Sequence, residues 1–403
     1  MSQETLRMSR KERERVALLR QVETGEMLLK EAAWQMRVSV RQAVRIKKRF
    51  EARGAEGVLH AARDMRPNNA YKDKFRRLVL KTYKEEYPDF GPTLACEKMA
   101  EREKIEVNRE TLRQWLIDDC QWQVGVKQRV HRQKRKRREC FGQMLQIDGS
   151  DHAWFEQRGP KCTLMVLIDD ATNTMVLHMA PAETTEAALI VLKKWVEHYG
   201  VPVTLYADRR NVYFTEEYVH NHDRRDDPET FTKFMCAADR LGIGMIPAFS
   251  PQAKGRVERA NGLLQDRLVK ELRLRGIDTI DGANAMLDAF AQEVNRRFAK
   301  EPARPADAHR SAPKGRRLWE YFFCVEERRK VRRDNTVVFE NESWQILAQE
   351  GAPRPGATVI RRAPIGAKEP YWLFREKRLK VRHLGRAKSQ TVRTGASPRA
   401  PGI

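Results

Sequence analysis

The chain has 403 residues, of which 41% are hydrophobic, and it carries a formal net charge of +23. This length is enough for roughly two to four domains, and the positive charge indicates a polyanionic partner, nucleic acid before an acidic membrane. No apolar run approaches the ~20 residues that span a bilayer, and the opening residues do not have the pattern of a signal peptide, which argues against a membrane or secreted protein.

Residues 9–62 have apolar residues at helical spacing and predict three helices, the last of which Ser39 can cap. We expect Val40, Val44 and Ile46 to face the core, which leaves a basic outer face on the last helix. A short helix, a tight turn and a second helix with such a face are typical of a helix-turn-helix DNA-binding domain, with a plain helical bundle as the alternative. The side chains expected to contact DNA from this domain are Arg41, Gln42 and Arg45.

Residues 70–122 repeat this layout with three more predicted helices. Asn108 can cap the last helix, on which Leu112, Trp115 and Leu116 are expected to point to the core. A second helix-turn-helix domain is therefore predicted, and two such units in tandem are harder to explain as a plain bundle. The side chains expected to reach phosphates or purine edges from this domain are Arg109, Arg113 and Gln114.

Residues 123–141 form a basic linker, in which eight of the twelve residues from Lys127 to Arg138 are Lys or Arg and none is acidic. Blocks of like charge resist compaction and usually serve as solvated arms. We expect this arm to lie along DNA phosphates, with a plain linker or a localisation signal as the alternative. The arm residues expected to contact DNA are Lys134, Arg135, Lys136 and Arg137.

From residue 142 the pattern changes to short apolar runs that predict β-strands. Three strands come first, and helices and strands then alternate up to Phe298, in the order βββαβαβα with one further helix. This order predicts a mixed α/β layered core over residues 142–299. The segments predicted beyond the core are an extended linker (300–320), a small β-barrel (321–385) and a disordered basic tail (386–403).

Three acidic residues occupy places where α/β layers usually carry reactive groups, namely strand ends and adjacent helix starts. Asp148 ends the first predicted strand, Asp208 ends the fourth, and Glu258 lies in the first turns of the helix after the fifth. Their oxygens suit Mg²⁺ or Mn²⁺. Two such ions ~3.5–4 Å apart can activate a water or a 3′-hydroxyl and stabilise the departing oxygen of a phosphodiester.

Other interpretations of the acidic residues compete with a metal site. Asp169 and Asp170 end the second predicted strand, and Asp151 follows Asp148 closely. Glu258 taken alone fits a capped surface helix on which a Glu forms solvated pairs with basic neighbours. A metal site is favoured because clustering three carboxylates without a metal would cost mutual repulsion.

Three segments around these acids resemble motifs of a known family. SPQAKGRVERANG (250–262) resembles the third-acid motif of the DDE transposases and retroviral integrases. QIDGSDHAWFEQRGPKCTLMVLIDDAT (146–172) and LYADRRNVYF (205–214) resemble the first-acid and second-acid motifs of bacterial insertion-sequence transposases, above all the ISNCY-type group. The resemblance extends over about residues 10–310 and implies a ribonuclease H-like fold, in agreement with the strand order.

The resemblance implies that Asp148, Asp208 and Glu258 are the catalytic triad and the ligands of two Mg²⁺ (or Mn²⁺) ions. Two features depart from the retroviral pattern. The interval from Asp208 to Glu258 is longer, and an N-terminal zinc module of two His and two Cys is absent. The residues near Glu258 that are expected to contact DNA are Lys254, Asn261 and, toward flanking phosphates, Arg256 and Arg259.

Together these features predict a transposase that binds the terminal inverted repeats of a mobile element as double-stranded DNA, exposes a 3′-hydroxyl and joins it to target DNA. Because each chain has a single triad and an element has two ends, we expect a homo-oligomer, at least a dimer. The alternative is a non-catalytic DNA-binding regulator derived from a transposase, whereas a structure-specific nuclease would leave the tandem helix-turn-helix units unexplained. Six singly spaced cysteines predict reduced thiols, and the expected location is the bacterial cytoplasm, at the nucleoid when DNA is bound.

Overall fold

The computed structural model describes residues 8–59, 70–123, 135–221, 227–249, 255–366 and 369–386. The chain divides into two compact units, Met1–Gly125 and Val126–Ile403. The finer domain boundaries given above stay predictions. Among the helices of the described ranges, none combines the length and the apolar character needed to cross a membrane.

The first unit begins with three helices, α1 (Arg10–Glu23), α2 (Leu29–Gln35) and α3 (Val40–Arg53), as the apolar spacing predicts. Ser9 forms a capping box with Glu12 at the start of α1. Ser39 caps α3, since its hydroxyl accepts a hydrogen bond from the backbone N–H of Gln42 at 3.2 Å. The apolar core that these helices share consists of Leu19, Ala32, Met36, Ile46, Phe50 and Val58.

The buried face of α3 differs from the predicted one. Ile46 is buried as expected, but Val40 and Val44 are 47% and 38% exposed, and the fully buried residue between them is Ala43. A small side chain lets α3 pack closely on α2, which buries Ala32 and Ala33 of its own. The buried face is therefore centred on Ala43 and Ile46, and the two valines stand at its margin, next to the basic side chains.

Three further helices follow in the same unit, α4 (Asp73–Glu86), α5 (Pro92–Lys98) and α6 (Arg109–Asp118). Asn108 caps α6, as predicted. Leu112 and Leu116 are buried, whereas Trp115, also expected in the core, is only half-buried. Its ring lies edge-on to Tyr71, with the ring centroids 5.6 Å apart. Both three-helix segments thus form where the sequence predicts them.

A five-stranded sheet forms the centre of the second unit, with strands β1 (Leu145–His152), β2 (Cys162–Asp169), β3 (Met175–Ala180), β4 (Thr204–Ala207) and β5 (Gly244–Pro247). The strand order is β3-β2-β1-β4-β5. β1, β2 and β3 pair antiparallel, while β4 runs parallel to both β1 and β5. The mixed directions follow from short connections between the first three strands and helical crossovers to the last two.

Helices cover both faces of this sheet. The helices of this region are α7 (Thr185–Tyr199), α8 (Glu216–His220), α9 (Lys233–Arg240), α10 (Gly255–Leu274) and α11 (Ile280–Phe298). α7 and α9 pack on one face over Leu145, Ile147 and Met165. α10 and α11 pack on the other face, over Leu164 and Val166. The alternation of these side chains along each strand builds two apolar layers, which confirms the predicted mixed α/β layered core.

The first strand is longer than predicted. Asp148 was expected at its end but lies in its middle, opposite Val166, because β1 continues to His152. β2 offers a pairing partner along this whole length, and His152 still pairs with Cys162. Gly149 therefore does not end the strand.

The proline-rich segment after α11 is extended, as expected, but it is bonded along the core. Arg310 pairs with Val201 through two backbone hydrogen bonds of 2.9 and 2.8 Å. The His309 ring is buried and accepts a hydrogen bond from the indole N–H of Trp195 at 3.0 Å. A short helix that was not predicted, α12 (Arg316–Phe322), begins in the predicted linker and ends two residues beyond it.

The C-terminal strands form two sheets. The first contains β6 (Cys324–Lys330), β9 (Thr358–Pro364), β10 (Tyr371–Phe374) and β11 (Lys377–Arg378), and the second contains β7 (Thr336–Phe339), β8 (Glu342–Ile346) and β12 (Val381–Arg386). Both contribute to one apolar core, in which Val359 and Trp372 meet Val337 and Ile346. In the described strands, hydrogen-bonded pairing does not continue from one sheet into the other. The predicted closed barrel is therefore not confirmed.

Candidate active site

Two of the three predicted acids lie at the same level, Asp148 within β1 and Asp208 directly after β4. β1 and β4 run parallel, and their register pairs Leu145 with Leu205. Asp148 and Asp208 each follow these leucines by three residues, so the register brings the two carboxylates to the same edge of the sheet. Neighbouring strands are about 4.8 Å apart, which places the two side chains within reach of one bound group.

α10 is attached to β1 by side-chain hydrogen bonds. The Nδ2 of Asn261 donates to Oδ2 of Asp148 at 3.1 Å, and the Nε2 of Gln265 donates to Oγ of Ser150 at 3.4 Å. Asn261 was expected to touch DNA and instead contacts Asp148. Glu258 is exposed and lies one turn before Asn261, so the third acid is on the helix that crosses this edge. Lys254, expected on the same face, lies outside the described residues.

A fourth carboxylate, Glu183, lies beside the two aspartates. Its side chain is only 6% exposed, and Oε1 accepts a hydrogen bond from the Tyr213 hydroxyl at 2.8 Å. A Cβ atom added to Gly149 would lie 2.7 Å from Cδ of Glu183, so this glycine is needed for the close approach. Burial raises the pKa of Glu183, and the charges of Asp208 and Asp148 raise it further.

Sequence reasoning missed Glu183 because it lies in the connection between β3 and α7, one residue before the N-cap Thr184. Such a position normally predicts a solvated polar side chain. The only local signal was Gly149, because a glycine directly after Asp148 inside a strand indicates a close approach of another group.

Arg210 connects Asp208 to Glu183. Its Nε lies 3.2 Å from Oδ2 of Asp208, its backbone N–H donates to Oδ1 of Asp208 at 3.2 Å, and its Nη1 donates to Oε2 of Glu183. Burial alone would lower the pKa of Arg210, but the carboxylates of Glu183, Asp208 and Asp148 raise it. One guanidinium therefore carries the positive charge for this group of acids.

The competing acids at the end of β2 are structural. Asp169 and Asp170 are fully buried. Asp169 accepts hydrogen bonds from the backbone N–H groups of Gly142 at 3.0 Å and Thr172 at 2.7 Å. Asp170 accepts from Nη1 of Arg256 at 2.7 Å, from two further groups at 2.8 Å, and from Arg135. A carboxylate whose oxygens are occupied by this many donors has no place for another ligand.

No family model matches the chain. The chain is 37% identical over 379 residues to the protein named transposase y4bF of Sinorhizobium fredii, and the alignment covers 94% of this chain and 80% of that protein. The chain belongs to the transposases. This transposase is also 29% identical over 327 residues to the transposase for insertion sequence IS1202 of Streptococcus pneumoniae, with 72% of this chain and 69% of that protein covered.

Solved structures resemble the transposase only weakly. A chain of the simian T-cell lymphotropic virus intasome, solved in complex with the PP2A regulatory subunit B56 gamma, matches with a TM-score of 0.33 and 15% identity, over 78% of this chain and 99% of that chain. Because this TM-score is low, the fold is assigned from the strand order given above.

The oxygen atoms at the edge formed by Asp148 and Asp208 fit a hard divalent cation. Asn261 Oδ1 is buried next to Asp148 and has no hydrogen-bond partner among the described residues, although a buried acceptor normally has one. Carboxylate and amide oxygens are ligands that Mg²⁺ and Mn²⁺ accept. In the parts of the chain that the structure describes, however, no three His, Cys, Asp or Glu side chains lie close enough together to hold a metal ion. Glu258 thus does not complete the set in this arrangement.

The side chains of the first unit that are predicted to contact DNA lie at its surface, and they differ in their hydrogen bonds to other side chains. Arg41, Gln42 and Arg45 are exposed on α3. On α6, the single Nε–H of Arg113 is shared between the two carboxylate oxygens of Glu110, and Nη2 of Arg113 donates to Oε1 of the same carboxylate. Gln114 donates to Asp118 at 3.0 Å. Arg109 is also exposed, and no hydrogen bond from its guanidinium is found within the described residues.

The predicted DNA contacts of the second unit differ more from expectation. Arg256 was expected to project toward phosphates, but it is buried by its bonds to Asp170 and to the backbone carbonyl of Arg135, the latter at 3.2 Å. Arg137 donates to the carbonyls of Asp170 and Ala171 at 3.1 and 3.0 Å. The end of the basic arm is therefore attached to the core. Lys136 and Arg259 are exposed, and Lys134 lies outside the described residues.

Proposed function

We propose that this transposase cuts the ends of a mobile DNA element to expose 3′-hydroxyls and joins them to target DNA by the DDE reaction of the transposases and integrases that its motifs resemble. The observation that carries the proposal is the placement of Asp148 and Asp208 at one level of two parallel strands, with α10 bonded to Asp148 through Asn261. Glu258 lies on that helix one turn earlier. These are the three acids that the motifs assign.

In this proposal Asp148, Asp208 and Glu258 hold two Mg²⁺ or Mn²⁺ ions. When bound, such ions activate the attacking oxygen and stabilise the departing oxygen of a phosphodiester. Asn261 orients Asp148 through its hydrogen bond, and the attachment of α10 to β1 fixes the position of the turn that bears Glu258. Arg259, exposed next to Glu258, and Lys254 contact phosphates that flank the reacting one.

DNA recognition is assigned to the basic surfaces outside the core. We assign the reading of the terminal inverted repeats to α3 and α6, through the exposed side chains given above. Val40 and Val44 are exposed beside Arg41 and Arg45, and apolar side chains in this position can contact thymine methyl groups. The arm, including Lys134 and Lys136, follows the phosphate backbone. Because one chain has one set of acids, at least a dimer acts on the paired ends.

The test uses the full chain with duplexes that carry the inverted repeats flanking its gene. The wild-type chain should nick the repeat ends in Mg²⁺ or Mn²⁺ and transfer the new 3′-hydroxyls to a plasmid. Glu258→Gln should bind the same duplexes without cutting. Asp266→Asn is the matched control, since it removes an exposed carboxylate from the same helix. Specific binding without cutting by the wild-type chain would favour the regulator instead.

A further inference from the structure

The ionic contacts around Arg210 have a buried end and an exposed end. Glu183 is the buried end, because its side chain is only 6% exposed, packs against Gly149 and is bonded to the fully buried Tyr213. Arg210 itself is 51% exposed, and the side chain of Asp208 is 24% exposed. The guanidinium therefore approaches Asp208 from the solvent side while its Nη1 is held by Glu183.

The position of Arg210 is that of a cation bound to the site. Its Nε is 3.2 Å from Oδ2 of Asp208. A divalent ion on the same carboxylate would lie within a few ångströms of the guanidinium, at a distance where like charges repel strongly. Arg210 and a metal ion thus compete for Asp208.

We propose that Arg210 is an internal counter-cation that must leave Asp208 before a divalent ion binds there, and that Glu183 is the positioning residue that retains it nearby. This inference rests on the proposed function, because it concerns the ions that Asp148, Asp208 and Glu258 would hold. It adds a residue pair that the three-acid motif does not contain.

The charge balance of the site with two divalent ions bound indicates which group the Arg210 guanidinium contacts after it leaves Asp208. The four carboxylates of Asp148, Asp208, Glu258 and Glu183 balance two divalent ions, so the charge of Arg210 is left over. One phosphodiester neutralises it. We therefore expect the guanidinium, still held by Glu183, to exchange its bond with Asp208 for a bond with a DNA phosphate. Metal binding and DNA binding should then reinforce one another.

The first measurement is the affinity of the full chain for Mn²⁺ without DNA. The electron paramagnetic resonance signal of free Mn²⁺ reports how much of the ion is unbound. Arg210→Gln should bind Mn²⁺ about tenfold more tightly than wild type, because the competing charge is gone. Arg210→Lys keeps the charge and should behave as wild type. Arg209→Gln is the matched control, since it removes the charge of the exposed neighbouring arginine, whose guanidinium lies over the ring of Phe249. Melting temperatures of all variants establish that each is folded.

A double variant tests whether Glu183 affects Mn²⁺ binding by holding Arg210 or only through its own negative charge. Glu183→Gln should weaken Mn²⁺ binding several-fold, because Arg210 then has Asp208 as its remaining partner. In the Arg210→Gln background the same change should have a smaller effect, since only the direct loss of the Glu183 charge is left and its action through Arg210 is gone. An equal effect of Glu183→Gln in both backgrounds would overturn the positioning role.

The second measurement is the salt dependence of binding to a random-sequence duplex. With Mn²⁺, the log–log slope of Arg210→Gln should be smaller than that of wild type by about 0.9, the value of one phosphate contact, and without Mn²⁺ the slopes should agree. Unchanged Mn²⁺ affinity in Arg210→Gln would overturn the inference and leave the proposed function intact. If Arg210→Gln bound Mn²⁺ more tightly than wild type but the wild-type chain never transferred strands, the inference would stand and the proposed function would be overturned. Absence of Mn²⁺ binding by the wild-type chain would overturn both.

Discussion

Two pairs of aspartates in the same sheet show how environment decides the role of a residue type. Asp148 and Asp208 are half-exposed at one level of β1 and β4, and both lie close to the buried Glu183. Asp169 and Asp170 are fully buried at the end of β2, where backbone N–H groups, arginines and a glutamine occupy their oxygens.

The difference between the pairs is how far their carboxylates are exposed. Asp170 accepts hydrogen bonds from four different residues, so its charge is used to hold the arm and the start of α10 to the core. Asp148 and Asp208 keep exposed surface at the edge that α10 crosses. A saturated carboxylate stabilises a fold, whereas an accessible one in a cluster of acids is suited to bind ions.

The largest expected effect is on catalysis. Asp148→Asn or Asp208→Asn should lower the rate of strand cleavage by at least ~10²–10³-fold, because the ions contribute several kcal/mol of transition-state stabilisation. The melting temperature and the affinity for DNA should change little. The assay compares single-turnover cleavage with Asp288→Asn, which removes a half-exposed carboxylate from α11. Wild-type cleavage by either variant would remove that residue from the site.

For Asp170 we expect a loss of folding stability rather than a specific loss of catalysis. Asp170→Asn leaves the buried guanidinium of Arg256 without its charged partner, and such a loss typically costs about 3–5 kcal/mol of unfolding free energy. Chemical denaturation of the full chain measures the loss, again with Asp288→Asn as the control. A variant of normal stability that no longer cuts DNA would place Asp170 in the active site and erase the distinction between the pairs.

The sequence predicted the fold better than it predicted the contacts of the site. Asp208 at the end of a strand and Glu258 early in a helix follow from local patterns, and the α/β core follows from strand and helix order. The contact of Glu183 with Arg210 joins residues 27 positions apart, so no local pattern contains it. The burial of Arg256 was missed for the same reason, since its partner Asp170 is 86 positions away.

A smaller effect is expected from a buried histidine on β3. Burial, aided by the charge of Lys194, lowers the pKa of His178 from 6.5 to about 4. The unfolded chain therefore takes up this proton near pH 6.5 and the folded chain only near pH 4, so stability should fall as the pH is lowered between these values. The contribution is on the order of 2 kcal/mol once solvent screening is allowed for. His178→Gln should flatten this part of the stability–pH curve, and an unchanged curve would contradict the assignment.

The smallest expected effect extends the comparison from carboxylates to arginines. Arg109 and Arg113 are both on α6, but Arg113 is bonded to Glu110 through its Nε, with distances of 3.1 and 3.0 Å to the two carboxylate oxygens. Arg113 must give up these bonds before it can contact DNA, whereas no hydrogen bond between the Arg109 guanidinium and another described residue has to be broken. Arg109→Gln should therefore cost about 1–3 kcal/mol of discrimination between element ends and random DNA, and Arg113→Gln less than about 1 kcal/mol. Competition binding at fixed salt measures both values.

Glu110→Gln supplies the control for this prediction. It releases Arg113 from its ion pair, which should raise the affinity for DNA if that arginine faces the duplex. An equal loss from both arginine variants would mean that the pairing seen here does not limit recognition.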